Sequence, residues 1–549
     1  MPFPSLRANG PLLACFAGLL AVVFALQWAG GAYRAEFLSH DDEAAHFVTG
    51  LMVRDYLASG IPAPPLQYAE NYYFHYPKVA IGHWPPFFYV VQGVWMLAVP
   101  PSRFSVMLLM ALITAAVAWL LYYELHGEVP EPVALAAAGV FVALPLVQAH
   151  TSAVMAETLV ALLVLAATSC FVRYAETGRK RNAIGFGILA ALALLTKPVG
   201  LVVAAVPPMA VVLSRRLDLV KRGWFWAPAA MVAASCAPWY LIVDRAFHKS
   251  WTRWGGIGVF ESPWVLEARQ WHAAAGKVLI AAAAAGLLAG VLLPLIRRGK
   301  VSARWAAAAG VLAGFFVFRT FVGASHELRS VLVALPAFMM LAAKGTAWAA
   351  GIVPLRWGGL RVGAAVMAAL MVLLAAAERF RLVKREPRGF AAAAQELASR
   401  PEFADSVVLV SSLLGGEGAF IAEAALRERR PGRVVLRATK VLASSGWSGH
   451  SYELRFQTPD EIAAYLESIP VGVVVWDGAP GYAPMEHHEL LIEALRRDPA
   501  RWQRLGSYPA DGPSELPRVE VYRQVGHESR PRNRIRLDLK RRLGKVLER

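Results

Sequence analysis

Hydrophobic residues in this chain fall in long unbroken runs from residue 11 to about residue 377. Runs of about 17–25 apolar residues match the thickness of a bilayer core, and their recurrence predicts about eleven transmembrane helices. They are expected near residues 11–31, 104–123, 132–148, 156–175, 183–196, 199–213, 224–243, 273–296, 305–322, 328–349 and 359–377. The first run is read as a span rather than a cleaved signal peptide, because no small-x-small site precedes "RAEF". One apolar segment does not fit the series. The stretch between the proline pairs of "PPFFYVVQGVWMLAVPP" (85–101) is too short to cross about 30 Å of hydrocarbon, and its Trp, Tyr and Gln suit an interface. Residues 32–103 then form one external loop carrying two surface helices, at about 42–58 and 85–101. Beyond residue 377 the pattern changes. Strand-like runs ("DSVVLVSS", "RVVLRAT", "GVVVWDG", "RVEVYRQV") alternate with helical ones ("GEGAFIAEAALRERR", "PDEIAAYLESI", "EHHELLIEALRRD"), which predicts a small α/β domain with a partly parallel sheet. The expected organisation is a polytopic α-helical domain over 1–377, an α/β domain over 378–527 and a basic tail over 528–549.

Composition agrees with a membrane protein. Hydrophobic residues make up 57% of the chain and the mean hydropathy is +0.44, too apolar for an ordinary soluble enzyme. The formal net charge of +17 would suit nucleic acid, but its distribution does not. The excess lies in the basic tail, which could lie along anionic headgroups, and in short loops such as "RYAETGRKRN", "SRRLDLVKRG" and "RRGKVSAR", where basic residues fix cytoplasmic sidedness. That sidedness places residues 32–103 and the α/β domain outside the cytoplasm, in a multi-pass protein of a bacterial-type inner membrane. Cys15, Cys170 and Cys236 lie in apolar runs without metal-ligand spacing.

Against this background the ionisable residues at the outer ends of spans need a reason. "HDDEAAHF" (40–47) sets Asp41, Asp42, Glu43 and His46 just after the first span. Asp42, His46 and Thr49 fall on one helical face, and an N-terminal acid also serves as an ordinary cap. Lys78 and His83 lie in "HYPKVAIGHWPP", His150 and Glu157 in "HTSAVMAETLV", Lys197 in "LLTKPVGL", and His326, Glu327 and Arg329 in "GASHELRSVLVALP". Singly, each is explained by capping or snorkelling. Gathered at one depth of the bilayer, they are a candidate site. Carboxylates and cations at headgroup level suit a lipid-linked donor: Lys or Arg neutralises a phosphate leaving group, and a carboxylate takes the acceptor's proton. "GGEG" (415–418), at a strand-to-helix turn, offers a weaker phosphate signal than that of an ordinary tight turn.

These motifs, in this order, resemble the GT-C glycosyltransferases, in the branch of the protein O-mannosyltransferases and the lipid A aminoarabinose transferase. The resemblance covers about residues 11–350 and rests on "DDEAAHF", "HWPPFFY", Glu157, "TKPVG" (196–200) and the run of Glu327, Arg329 and Pro336. It implies an integral membrane transferase that uses a polyprenyl-phosphate sugar on the extracytoplasmic face, with an envelope lipid, glycan or protein as acceptor. By the same resemblance Asp42, with Glu43 beside it, is the candidate base or acceptor-orienting acid, and Glu157 the second acid. The family's lysine in the proline-aromatic motif is replaced by Trp84, so the phosphate contact passes to Lys78, His83, Lys197 or Arg329. Some relatives hold a divalent metal beside these acids and others need none; the residues permit a metal without requiring it, and its ligands here would be Asp42 and Glu157. Two other classes use similar residues. A transporter or lipid flippase would line a path with them, but no inverted repeat is evident. A receptor-like protein would use its α/β domain and need the acids only as caps.

Overall fold

The computed structural model describes residues 10–243, 263–321, 327–352, 359–445, 452–478, 485–508, 519–526, 536–538 and 546–548. His326 and most of the basic tail lie outside them. The chain divides into two compact units, and the division does not follow the boundary expected at residue 377. One unit holds 1–30, 82–88 and 108–383; the other holds 31–81, 89–107 and 384–549.

The first unit is a helical bundle. Among the described residues, seven helices of the chain are long and apolar enough to cross a membrane, or eight if one bent pair is a single span. The bent pair is the expected 132–148 span. It is broken into Glu131–Ala143 and Pro145–Thr151, which meet at 61°. The cause is local. Pro145 forces Leu144 into extended backbone (φ −59°, ψ 133°), and no α-helix continues through that conformation. The expected 183–196 and 199–213 spans are likewise short: Lys180–Leu194 is α-helical, whereas Pro198–Ala205 is a 3-10 helix leading into Val206–Leu213. Small residues let the Pro263–Leu287 and Leu335–Ile352 helices approach closely. A Cβ on Gly286 would collide with the Leu341 carbonyl, and one on Gly345 with that of Ala282. The Pro263–Leu287 helix is interrupted at Gly276 (φ 81°), and Glu378 accepts the backbone N–H groups of Lys277 and Val278 where the helix resumes.

The second unit joins residues 31–81 and 89–107 to the C-terminal domain. Its sheet has strands β1 (Val407–Ser411), β2 (Val435–Arg437), β3 (Val471–Asp477), β4 (Trp502–Tyr508) and β5 (Val519–Gln524), in the order β2-β1-β3-β5-β4. The β2-β1-β3 part is parallel, and β5 and β4 add antiparallel, so the partly parallel sheet is present. Its core packs Val407, Leu409, Val471 and Val474 against Ile462, Leu491 and Leu495 of the Pro459–Ser468 and Glu486–Arg497 helices. The surface helices are Glu43–Ala58 and Phe87–Ala98, as expected, plus a third, Pro65–His75.

Buried ion pairs and hydrogen bonds tie residues 31–81 to this domain. Glu36, 2% exposed, accepts N–H groups from Arg388 (2.9 Å), Gly389 (3.0 Å) and Ala391 (2.8 Å) at the start of the Phe390–Ser399 helix. Asp55 pairs with Arg430 at 2.6 Å and accepts the Tyr72 hydroxyl at 2.9 Å. The Gly432 N–H donates to the Tyr76 hydroxyl at 2.8 Å.

Candidate functional site

The residues expected to form the site fall into two groups, one in each unit. In the helical unit, Glu157 is the first residue of the Glu157–Thr177 helix and is 1% exposed. Its carboxylate pairs with Lys197 and lies 3.5 Å from the guanidinium of Arg329, which also pairs with Glu327. These side chains come from a helix start, a proline-marked break and a 3-10 turn, each at the same end of alternating helices. Lys197 is extended (φ −157°, ψ 145°) because it precedes Pro198, and that bend turns its side chain out of the helical path. Nearby, the Phe87 N–H donates to the Leu195 carbonyl at 2.9 Å, which seats the "HWPPF" segment on the same break. Trp84 is buried, with His83 edge-on to its ring. His150 Nδ1 is bonded to the Leu146 carbonyl at 2.8 Å, and its ring is close enough to Glu157 to interact electrostatically. The Oε2 atom of Glu157 is buried and has no hydrogen-bond partner among the described residues.

In the other unit, Asp42 occupies the N-cap position of the Glu43–Ala58 helix, yet its side chain makes no capping bond. It is 4% exposed, and His40 Nδ1 lies 3.6 Å from its carboxylate. Lys78, 1% exposed, donates to the Leu414 carbonyl at 3.4 Å and shares this pocket of charge with Asp41, Asp42, Glu417 and Arg437. Burial pushes the Lys78 ammonium down to about 7; Arg437 adds to the shift, and Asp42, Asp41 and Glu417 oppose it. The "GGEG" turn has a spatial role here. A Cβ on Gly418 would lie 2.7 Å from Lys78 Cε, and one on Gly415 would lie 2.9 Å from an Asp41 oxygen. Glu417 faces inward, pairing with Arg437 at 2.8 Å and accepting the Thr439 N–H at 2.8 Å. The glycines therefore admit Lys78 and Asp41 to the first turns of the Leu414–Arg427 helix.

Other expected residues have structural engagements. Glu43 is fully buried, with one oxygen on Arg103 at 2.6 Å and the other accepting the Ser39 N–H at 2.8 Å. These contacts hold the 39–43 turn. His46 bonds to the Tyr89 hydroxyl at 3.0 Å, and Thr49 accepts the Ala80 N–H at 2.9 Å. Sequence reasoning missed Arg103 and Arg437, each of which pairs with a distant carboxylate, and no local pattern marks either one. As for a divalent metal, Glu157 already carries two cationic partners, a setting that repels a further cation. No group of three or more His, Cys, Asp or Glu that could hold a metal occurs among the described residues.

Residues 83–242 match the family dolichyl-phosphate-mannose-protein mannosyltransferase. No curated protein matches the chain. Among solved structures, ArnT from Cupriavidus metallidurans in the apo state superposes with a TM-score of 0.56 at 14% identity, covering 96% of this chain and 100% of that one. The same protein bound to undecaprenyl phosphate gives 0.53 at 14% identity, with the same coverage. The archaeal oligosaccharyltransferase AglB from Archaeoglobus fulgidus, in complex with an inhibitory peptide and a dolichol-phosphate, gives 0.52 at 12% identity, covering 92% of this chain and 80% of that one. The chain shares the fold of these solved structures, and its residues 83–242 resemble that mannosyltransferase family.

Proposed function

We propose that the protein moves a sugar from a polyprenyl-phosphate donor to a hydroxyl acceptor (an envelope lipid, glycan or protein) on the extracytoplasmic side of a bacterial-type inner membrane. The observation that carries this reading is the cation pair Lys197 and Arg329, gathered on the buried carboxylate of Glu157. Cleavage of the bond between the anomeric carbon and the phosphate oxygen sends its electron pair to the phosphate, whose charge rises from one to two. Two fixed cations in a poorly solvated place stabilise that change more than they stabilise the ground state. Glu157 acts in this reading as the counter-ion that keeps both cations in place before the donor arrives, rather than as a second acid. Asp42 is assigned the proton of the acceptor hydroxyl: it is a buried carboxylate at a helix start whose oxygens are not spent on capping. Lys78 sits beside it and sets the local charge.

The test uses purified protein in proteoliposomes with a polyprenyl-phosphate sugar. Asp42→Asn is expected to abolish turnover with donor binding retained, and Lys197→Ala to raise donor KM more than it lowers kcat. Full turnover in Asp42→Asn would remove that residue as base. An unchanged donor KM in Lys197→Ala would remove the phosphate contact.

A further inference from the structure

Arg319 lies near the end of the Ala303–Phe321 helix, is 1% exposed and was not suggested by any motif. Its guanidinium, stacked over Phe315, makes contacts in several directions. It pairs with the Glu267 carboxylate, donates to Gln270 Oε1 at 2.6 Å, and donates to the Glu327 carbonyl at 3.1 Å and to the Ser330 hydroxyl. Ser330 in turn donates to the Glu327 carbonyl at 2.7 Å. Glu327 and Ser330 bracket Arg329, whose own side chain reaches Glu157. The rigid fork of a guanidinium serves several acceptors at fixed angles, which an ammonium on a flexible stem does not. A buried arginine needed only as the counter-ion of Glu267 would have no cause to grip both flanks of the Arg329 turn.

We propose that Arg319 is a positioning residue, fixing the 327–330 turn so that Arg329 is presented to Glu157 and to the donor phosphate. This rests on the reading that Arg329 contacts that phosphate. The experiment compares the wild type, Arg329→Gln, Arg319→Lys, the paired variant Arg319→Met with Glu267→Gln, and the combination of that pair with Arg329→Gln. Melting temperature without donor, donor KM and kcat are measured for each in proteoliposomes. The paired variant removes both buried charges together, so a counter-ion role predicts recovery of both stability and donor KM. The positioning role predicts recovered melting with a donor KM raised on the order of tenfold and a smaller change in kcat, as for Arg329→Gln, and no further rise when the two are combined. Where the paired variant fails to fold, Arg319→Lys, which keeps a charge on Glu267 and loses the fork, gives the same reading of KM against kcat. A wild-type donor KM in the folded Arg319 variants, beside a raised one in Arg329→Gln, overturns the proposal. A wild-type KM in Arg329→Gln overturns the phosphate reading, and this proposal with it.

Discussion

Glu157→Gln separates a counter-ion from a catalytic acid. The side chain is 1% exposed and its cationic partners only 14% (Lys197) and 15% (Arg329), so solvent screens the cluster little. Removing one member of a buried ion pair costs about 3–5 kcal/mol, because the remaining charge stays desolvated. With an unfolding entropy of roughly 2.1 cal/mol/K per residue over 549 residues, each kcal/mol corresponds to about 1 °C, so Tm should fall by about 3–5 °C. The formal charge of Glu157, Lys197, Arg329 and Glu327 together changes from zero to +1 in the variant. A phosphate should then bind better than it does in the wild type, and the product monoester, with two negative charges, should gain more than the donor diester with one.

The assay is thermal unfolding in detergent with and without polyprenyl phosphate, beside steady-state kinetics. Saturation at about 100 times Kd stabilises by about 2.7 kcal/mol, so the lipid should recover most of the lost Tm in the variant. Its shift should exceed the wild-type shift. Turnover should fall through product retention, with a lowered product inhibition constant. If the lipid shifts both proteins equally, or binds the variant more weakly, the cations held by Glu157 do not receive the phosphate and the reasoning fails.

Other outcomes follow from the second unit. The Lys78 ammonium is pushed from its ordinary 10.5 down to about 7, so between those values the unfolded chain binds more protons than the native one. Lys78 should therefore make stability rise with pH from about 7 to about 10 and leave it flat below, and Lys78→Met should remove that rise in a pH series of melting curves. Gly418→Val, whose Cβ would lie 2.7 Å from Lys78 Cε, should lower kcat at least tenfold while leaving donor KM near the wild-type value, as steady-state kinetics would show. Glu36→Gln weakens three backbone N–H contacts and should cost about 1–3 kcal/mol, read as earlier proteolysis between residues 380 and 400.

What the chain discloses locally and what it withholds differ in kind. Apolar runs are set by the solvent each segment meets, so most spans, the four strand-like runs and the Glu43–Ala58 helix are visible in one dimension. The break before Pro145 was also written in the sequence, since a residue preceding proline is driven to extended backbone, but the apolar run around it masked the signal. The clustering of Glu157, Lys197 and Arg329 could be suspected because the three share one end of alternating helices. Which acids are structural could not. Glu43 and Asp42 are adjacent and chemically alike. One is fixed by Arg103, 60 positions away, while the other is left without a capping bond. His46 and Thr49 share a face with Asp42, yet that face packs on Tyr89 and Ala80. Helical spacing reports that residues look the same way, and says nothing of what they look at.

The "GGEG" turn shows how a familiar pattern can serve a different purpose. Glycines where a parallel strand turns into a helix can open the helix N-terminus to a bound anion. Here the same absence of side chains lets Lys78 and Asp41 reach that turn, so the chain's own groups occupy the approach. Glu36 and Asp55 make the same kind of connection, to Arg388, Gly389 and Ala391 and to Arg430, across separations of 352 to 375 positions. The candidate base therefore stands on a segment whose partners are synthesised last. Residues 31–81 are synthesised early, but Asp42 and Lys78 acquire their native surroundings only once residues 384 onward have folded onto them. The C-terminal domain is thus part of the scaffold that makes Asp42 a buried carboxylate.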